Sequence, residues 1–277
     1  MTLPPIVQGL PYMVWVILVT LAVGSFAFVA LTRQLSDATR GYLGFSAFLA
    51  ATLAGLALAV DAALPPPGDL VIVASSPALT AARQLALVAF AALSIAYLFA
   101  LRGRLPTLPT AVATLAAAAT VLVAAALGWA PTLPDAVPLL VQLAVLSVVT
   151  GGSLAAIVLG HWYLVTPRLS ERPLVLQSRW LLAAIGLQVL LFVVWTTLGG
   201  GPGQAAFEAL AGGTLLLVVL RLLVSLAFPL VLTYMATRTA VTRSMESATG
   251  LLYINLAAVM AGTIGAAALY VSGGILV

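Results

Sequence analysis

Residues 139–199 read LLVQLAVLSVVTGGSLAAIVLGHWYLVTPRLSERPLVLQSRWLLAAIGLQVLLFVVWTTLG, two long apolar runs joined by the basic turn Pro167-Arg168-Leu169-Ser170-Glu171-Arg172-Pro173. Each run exceeds the roughly 20 apolar residues that a helix needs to cross about 30 Å of hydrocarbon. The prolines bracketing the turn oppose a helix running through it. The stretch therefore reads as two membrane-spanning helices and a short polar connection, and the rest of the chain repeats that pattern.

Of the 277 residues, 63% are hydrophobic and 6% charged, with a mean hydropathy of +1.21, whereas soluble domains carry about 25% charge. Lipid is the solvent such a composition fits. The expectation is an all-α, polytopic integral membrane protein forming one transmembrane domain over residues 1–277. Its eight transmembrane helices are placed at about 14–31, 42–60, 83–101, 110–127, 137–165, 174–198, 207–237 and 250–270. Residues 1–8 have neither the basic segment nor the small-residue cleavage site of a signal peptide, so the first span is expected to be retained.

The connections after spans one, three, five and seven carry Arg33 and Arg40, Arg102 and Arg104, Arg168 and Arg172, and Arg238 and Arg243. Those after spans two, four and six carry Asp69, Asp135 and no arginine, with Arg83 only at the expected start of span three. Short loops rich in Lys and Arg stay in the cytoplasm. The alternation predicts four antiparallel hairpins in a bacterial-type inner membrane, with both termini on the outer side. Tyr12, Trp15, Trp129, Trp195 and Tyr270 fall near outer span ends, where interfacial aromatics belong.

Several chemistries are missing. No cysteine is present, which removes disulfides, thiolate nucleophiles and cysteine-held metals. The single histidine, His161, leaves no multi-histidine metal site and would be the sole axial ligand of any haem. No Gly-x-Ser-x-Gly elbow, phosphate loop or His-Glu-x-x-His occurs. The seven carboxylates lie at span ends and in loops. No general base or metal set is visible, and the reading leans away from an enzyme. The arginines come in loop pairs and not on one face, which argues against nucleic acid as a partner.

A charge within hydrocarbon is costly, so each one is a functional candidate. Spans one to four, residues 1–130, offer almost none and read as an apolar scaffold available to other membrane subunits. The half over residues 131–277 differs. Arg221 lies near the centre of the expected seventh span, facing inward, either tied to backbone carbonyls, Gln188 or Asn255, or serving as a cation for an anionic ligand, a polar headgroup or a proton relay. His161 and Arg179 sit about 9 Å inside the ends of adjacent spans, with Trp162, Tyr163, Gln177 and Trp180 beside them. Such a level either holds a quinone or lipid headgroup or forms the aromatic belt of the inner interface. Gly151-Gly152-Ser153 and Pro229 mark either close helix packing or a discontinuous helix lining a transport path.

These residues support a non-catalytic membrane protein with a polar pocket lined by His161, Trp162, Tyr163, Arg179, Gln188, Arg221 and Asn255. It would bind or anchor a quinone, lipid or small anion. The alternatives are a uniporter or channel for a small neutral or anionic solute, and a purely structural membrane subunit. Finally, residues 32–39 and 242–249 share the pattern Thr-Arg-x-apolar-x-x-Ala-Thr, which fits either a duplicated hairpin or chance recurrence.

Overall fold

Small polar caps decide where several of the helices begin. In the computed structural model, which describes residues 5–166, 168–211 and 214–277 and the side chains of all of these but 5 and 6, the Thr39 hydroxyl accepts from the Tyr42 amide at 3.3 Å. Ser76 caps Leu79 at 3.3 Å and Thr132 caps Asp135 at 3.4 Å. Each satisfies an amide that the first helical turn leaves without a partner. The helices are α1 (Leu10–Leu35), α2 (Arg40–Ala62), α3 (Pro77–Leu101), α4 (Thr107–Trp129), α5 (Leu133–Val165), α6 (Arg172–Leu198), α7 (Leu215–Val241) and α8 (Met245–Gly273). All eight are long and apolar enough to cross a membrane, and no strand occurs among the described residues. The chain is a helical, multi-pass membrane protein.

Two boundaries differ from the sequence expectation by more than five residues. Helix α3 begins at Pro77 and not near residue 83, because Ser76 caps it and Pro77 fits its first turn. Arg83 is therefore inside the helix. Helix α7 begins at Leu215 and not near residue 207. Phe207 has a left-handed backbone (φ 61°) and residues Glu208–Leu210 form only a 3-10 turn.

Helices α1 and α5 are the axis of the bundle. Of their most apolar 18 residues, 72% in α1 and 78% in α5 are buried, against 33% in α6 and in α7. The two meet backbone to backbone. A Cβ on Gly24 would lie 1.7 Å from the Ser147 carbonyl oxygen, and one on Gly151 would lie 2.3 Å from the Ser25 nitrogen. Small residues four apart, Ser147 and Gly151, allow this approach, which maximises van der Waals contact where no hydrophobic drive separates protein from lipid. Helix α5 is unbroken through Gly151-Gly152-Ser153; close packing explains these glycines, and a discontinuous helix does not. Because α1 belongs to this axis, one apolar core runs through both the expected scaffold half and the expected pocket half.

The arginine-bearing connections meet one another. Ser170 donates to Asp37 at 2.9 Å, Arg243 pairs with Glu171 at 3.0 Å, and Arg40 and Arg102 border one groove. At the other end, Tyr12 donates to the Pro65 carbonyl (2.6 Å), Val73 to that of Trp129 (3.0 Å) and Val71 to that of Val271 (3.1 Å). Four of the five aromatics expected here do not face lipid. Trp15 is fully buried, and Tyr12, Trp129 and Tyr270 are nearly so.

The repeated Thr-Arg pattern does not occupy equivalent places. Thr32 lies inside α1 and Thr39 caps α2, whereas Thr242 ends α7 and Thr249 is a turn inside α8. The segments are offset against their helix boundaries by about one turn, which favours chance recurrence over a duplicated hairpin.

Candidate functional site

Three settings of buried polar groups bear on function, and the first was expected to be almost empty. At the end of α2, Asp61 meets Arg83 of α3. The guanidinium grips the carboxylate side-on, with Nε to Oδ2 at 2.5 Å and Nη2 to Oδ1 at 3.3 Å. Gln84 donates to Oδ1 at 3.1 Å, and the remaining Arg83 nitrogen, Nη1, donates to Ser75 at 3.1 Å. The guanidinium carbon lies 5.1 Å from the Trp129 ring centre and 5.7 Å from that of Trp15, within cation–π reach. A cleft of about 280 Å³ lies against the pair, bordered by Tyr12, Pro67, Ser75 and Trp129. Both charges are matched and hydrogen-bonded, so the site clamps α1 to α4 and calls for no ligand. The signal that would have revealed it is Ser76-Pro77, which sets Arg83 about 9 Å inside α3, at the depth where α2 ends.

The second setting is a pair of side-chain networks between helices. Gln177 donates through one nitrogen to Thr32 and to Tyr42, both at 2.6 Å, joining α1, α2 and α6. Asn255 donates to Ser153 at 3.0 Å and accepts from Thr233 at 3.1 Å, joining α5, α7 and α8. Asn255 is therefore engaged elsewhere and is not the partner of Arg221. Asn255→Leu is expected to lower the detergent melting free energy by about 1 kcal/mol, since interhelical bonds in lipid average about 0.6 and reach about 1.7. A thermal melt of the purified variant checks this.

The third setting is Arg221. With α7 starting at Leu215, the residue lies about 9 Å from that end at 1.5 Å per residue, not at mid-span. It is 3% exposed. Its Nε and Nη2 have no hydrogen-bond partner among the described residues. Nη1 sits over Gly262 of α8, where a Cβ would come within 2.6 Å of it and 2.2 Å of the Ser225 Cβ. Helix α7 widens to a π turn over residues Leu223–Ala227 just before Pro229. Proline has no N–H for the carbonyl four residues back, and the wider turn accommodates its ring. Gln188 of α6 is also buried with both amide atoms unpartnered among the described residues. Its helix packs there against α7, with Val189 and Phe192 beside Val218 and Leu222.

The seven residues expected to line one pocket thus separate. His161 and Arg179 are exposed on the outside of the bundle, while Gln188, Arg221 and Asn255 are buried. Trp162 packs on Gly41, and the buried Tyr163 donates to the Ser170 carbonyl at 2.5 Å. Helical spacing gives depth but not facing, and the two outward groups cannot share an interior cavity with the three inward ones.

Comparison with protein-family models, with curated proteins and with solved structures finds no match to this chain. Its class rests on the eight helices.

Proposed function

We propose that the protein is a non-catalytic binding subunit of a bacterial-type inner membrane that holds an oxyanion, as a lipid phosphate or carboxylate or as a small free anion, at Arg221. One observation carries the reading: the Nε and Nη2 of Arg221, without a hydrogen-bond partner among the described residues, form the same side-on edge that Arg83 uses to grip both oxygens of Asp61. That edge matches a two-oxygen anion in bidentate fashion, whereas a quinone carbonyl engages it less completely. A buried guanidinium without an acceptor is costly, and such an anion removes the cost. The depth agrees. A helix of 27 residues is about 40 Å long, so a group 9 Å from its end lies just below the headgroup level of a 30 Å hydrocarbon core. The arginine-bearing loops would face the cytoplasm and both termini the outside.

The test is affinity for inorganic phosphate and for short-chain phosphatidic acid in detergent, by calorimetry, on wild type, Arg221→Leu, Arg221→Lys and Gly262→Val. Both arginine replacements should weaken binding on the order of 100-fold, about 2.7 kcal/mol. Gly262→Val, which displaces Nη1 without changing charge, should weaken it as well. Preference for phosphatidic acid over phosphate identifies a lipid ligand, and the reverse a free anion. Unchanged binding in folded Arg221→Leu ends the proposal and leaves a structural arginine.

A second reading, uniport of a small neutral or anionic solute, is favoured by the π turn and Pro229, because such irregularities lie where helices bend. Anion flux into proteoliposomes that stops with Arg221→Leu would select it over static binding.

A further inference from the structure

A groove of about 480 Å³ runs along the outside of α2 and α3 at the end of the arginine-bearing loops. Its floor and walls are apolar: Gly44, Phe45 and Phe48 from α2 and Leu98 from α3. Phe45 and Phe48 are 51% and 54% exposed, so their rings stand up beside the groove and do not fill the core. Gly44 keeps it open, since a Cβ there would meet only Leu98, at 3.8 Å. Two guanidiniums from different helices border the groove, Arg40 at the first residue of α2 and Arg102 capping the end of α3. The ion pairs among the described residues are Asp61–Arg83 and Glu171–Arg243. Neither Arg40 nor Arg102 has a carboxylate partner there. Asp37, three residues before Arg40, is held by Ser170 of another connection.

We infer that this groove is a binding site for an anionic phospholipid, whose phosphate lies between Arg40 and Arg102 and whose acyl chain lies along Phe45, Phe48 and Leu98. The charge and the shape point to the same occupant. Helix ends place the guanidiniums at headgroup level, and basic residues there attract anionic lipids. An apolar trough directly beneath them, open to the side, fits a hydrocarbon chain and offers nothing to a hydrated ion. The site lies at the opposite end of the bundle from Asp61 and Arg83 and does not use Arg221.

The test is native mass spectrometry of the full chain released from mixed micelles of phosphatidylglycerol and phosphatidylcholine with matched acyl chains. Wild type should retain one phosphatidylglycerol in preference to phosphatidylcholine. Arg40→Gln and Arg102→Gln should each weaken that retention about fivefold, the factor for about 1 kcal/mol per basic residue at an anionic surface, and together about 25-fold. Gly44→Leu keeps both charges but fills the trough and should release both lipids. Arg40 and Arg102 are exposed, so unchanged melting confirms that the variants fold. Arg221→Leu should leave this retention intact, which separates the site from the one proposed above. The inference is overturned if the double variant retains phosphatidylglycerol as wild type does, if millimolar inorganic phosphate displaces the lipid, or if the groove is closed by a second copy whose dimer Gly44→Leu dissociates.

Discussion

Asp61→Ala is expected to cost about 3–5 kcal/mol, because it leaves the Arg83 guanidinium buried and unpaired. Arg83 is only 3% exposed at its side chain and Asp61 is 0%, so water cannot replace the lost partner. Ser75 and the two indoles remain, but they supply one hydrogen bond and a quadrupole, not a countercharge. Arg83→Ala should cost a similar amount through the stranded carboxylate. Replacing both together, Asp61→Leu with Arg83→Met, should recover most of the loss, since a well-packed apolar pair often equals a buried ion pair. The exposed Glu171–Arg243 pair is the control. Its side chains are 41% and 57% exposed, and removing it should change stability by less than about 1 kcal/mol. Urea or thermal unfolding in one detergent measures all four. Equal effects at the two pairs would refute the clamp assigned to Asp61 and Arg83.

Gly151→Leu is expected to be at least as damaging. The position is in contact with the α1 backbone itself, at Gly24 and Ser25, and a backbone cannot rotate aside as a side chain can. Overpacking in ordinary cores costs about 1–3 kcal/mol; here the two axial helices must separate, and every helix that leans on them loses contact. The variant should fail to give a monodisperse peak on size exclusion. Gly55 and Gly186 have nothing within 4 Å of an added Cβ. Gly55→Ala and Gly186→Ala should therefore raise the melting temperature slightly, by the roughly 0.5–1 kcal/mol that glycine costs inside a helix. A well-folded Gly151→Leu would mean that α1 and α5 do not cross where Gly24 and Gly151 place them.

The number of helices was legible because each span is a contiguous apolar run. Boundaries were lost where an apolar run alone marked them. Ser76-Pro77 would have moved α3 outward by six residues, and the glycines at 212 and 213 fall just before the observed start of α7. Those two shifts changed the candidate site most: one brought Arg83 inside a helix opposite Asp61, and the other moved Arg221 from mid-span toward one end. The cap at Ser76-Pro77 brings Arg83 level with Asp61, but that the two side chains, 22 residues apart, turn toward each other is decided by tertiary packing.

The sequence by itself determined that eight segments suit a bilayer, that the loops alternate in charge, and that Arg221 is a cation set in apolar surroundings. These follow from transfer free energies summed over neighbouring residues, which need no knowledge of what packs where. Only the tertiary structure decided that His161 and Arg179 face outward, that Asn255 serves Ser153 and Thr233, and that one edge of Arg221 has no partner among the described residues. A helix that is apolar all round has no polar stripe to mark its inner side, and lipid is no more or less hydrophobic than a neighbouring helix. Facing is then set by which small residues let two backbones meet.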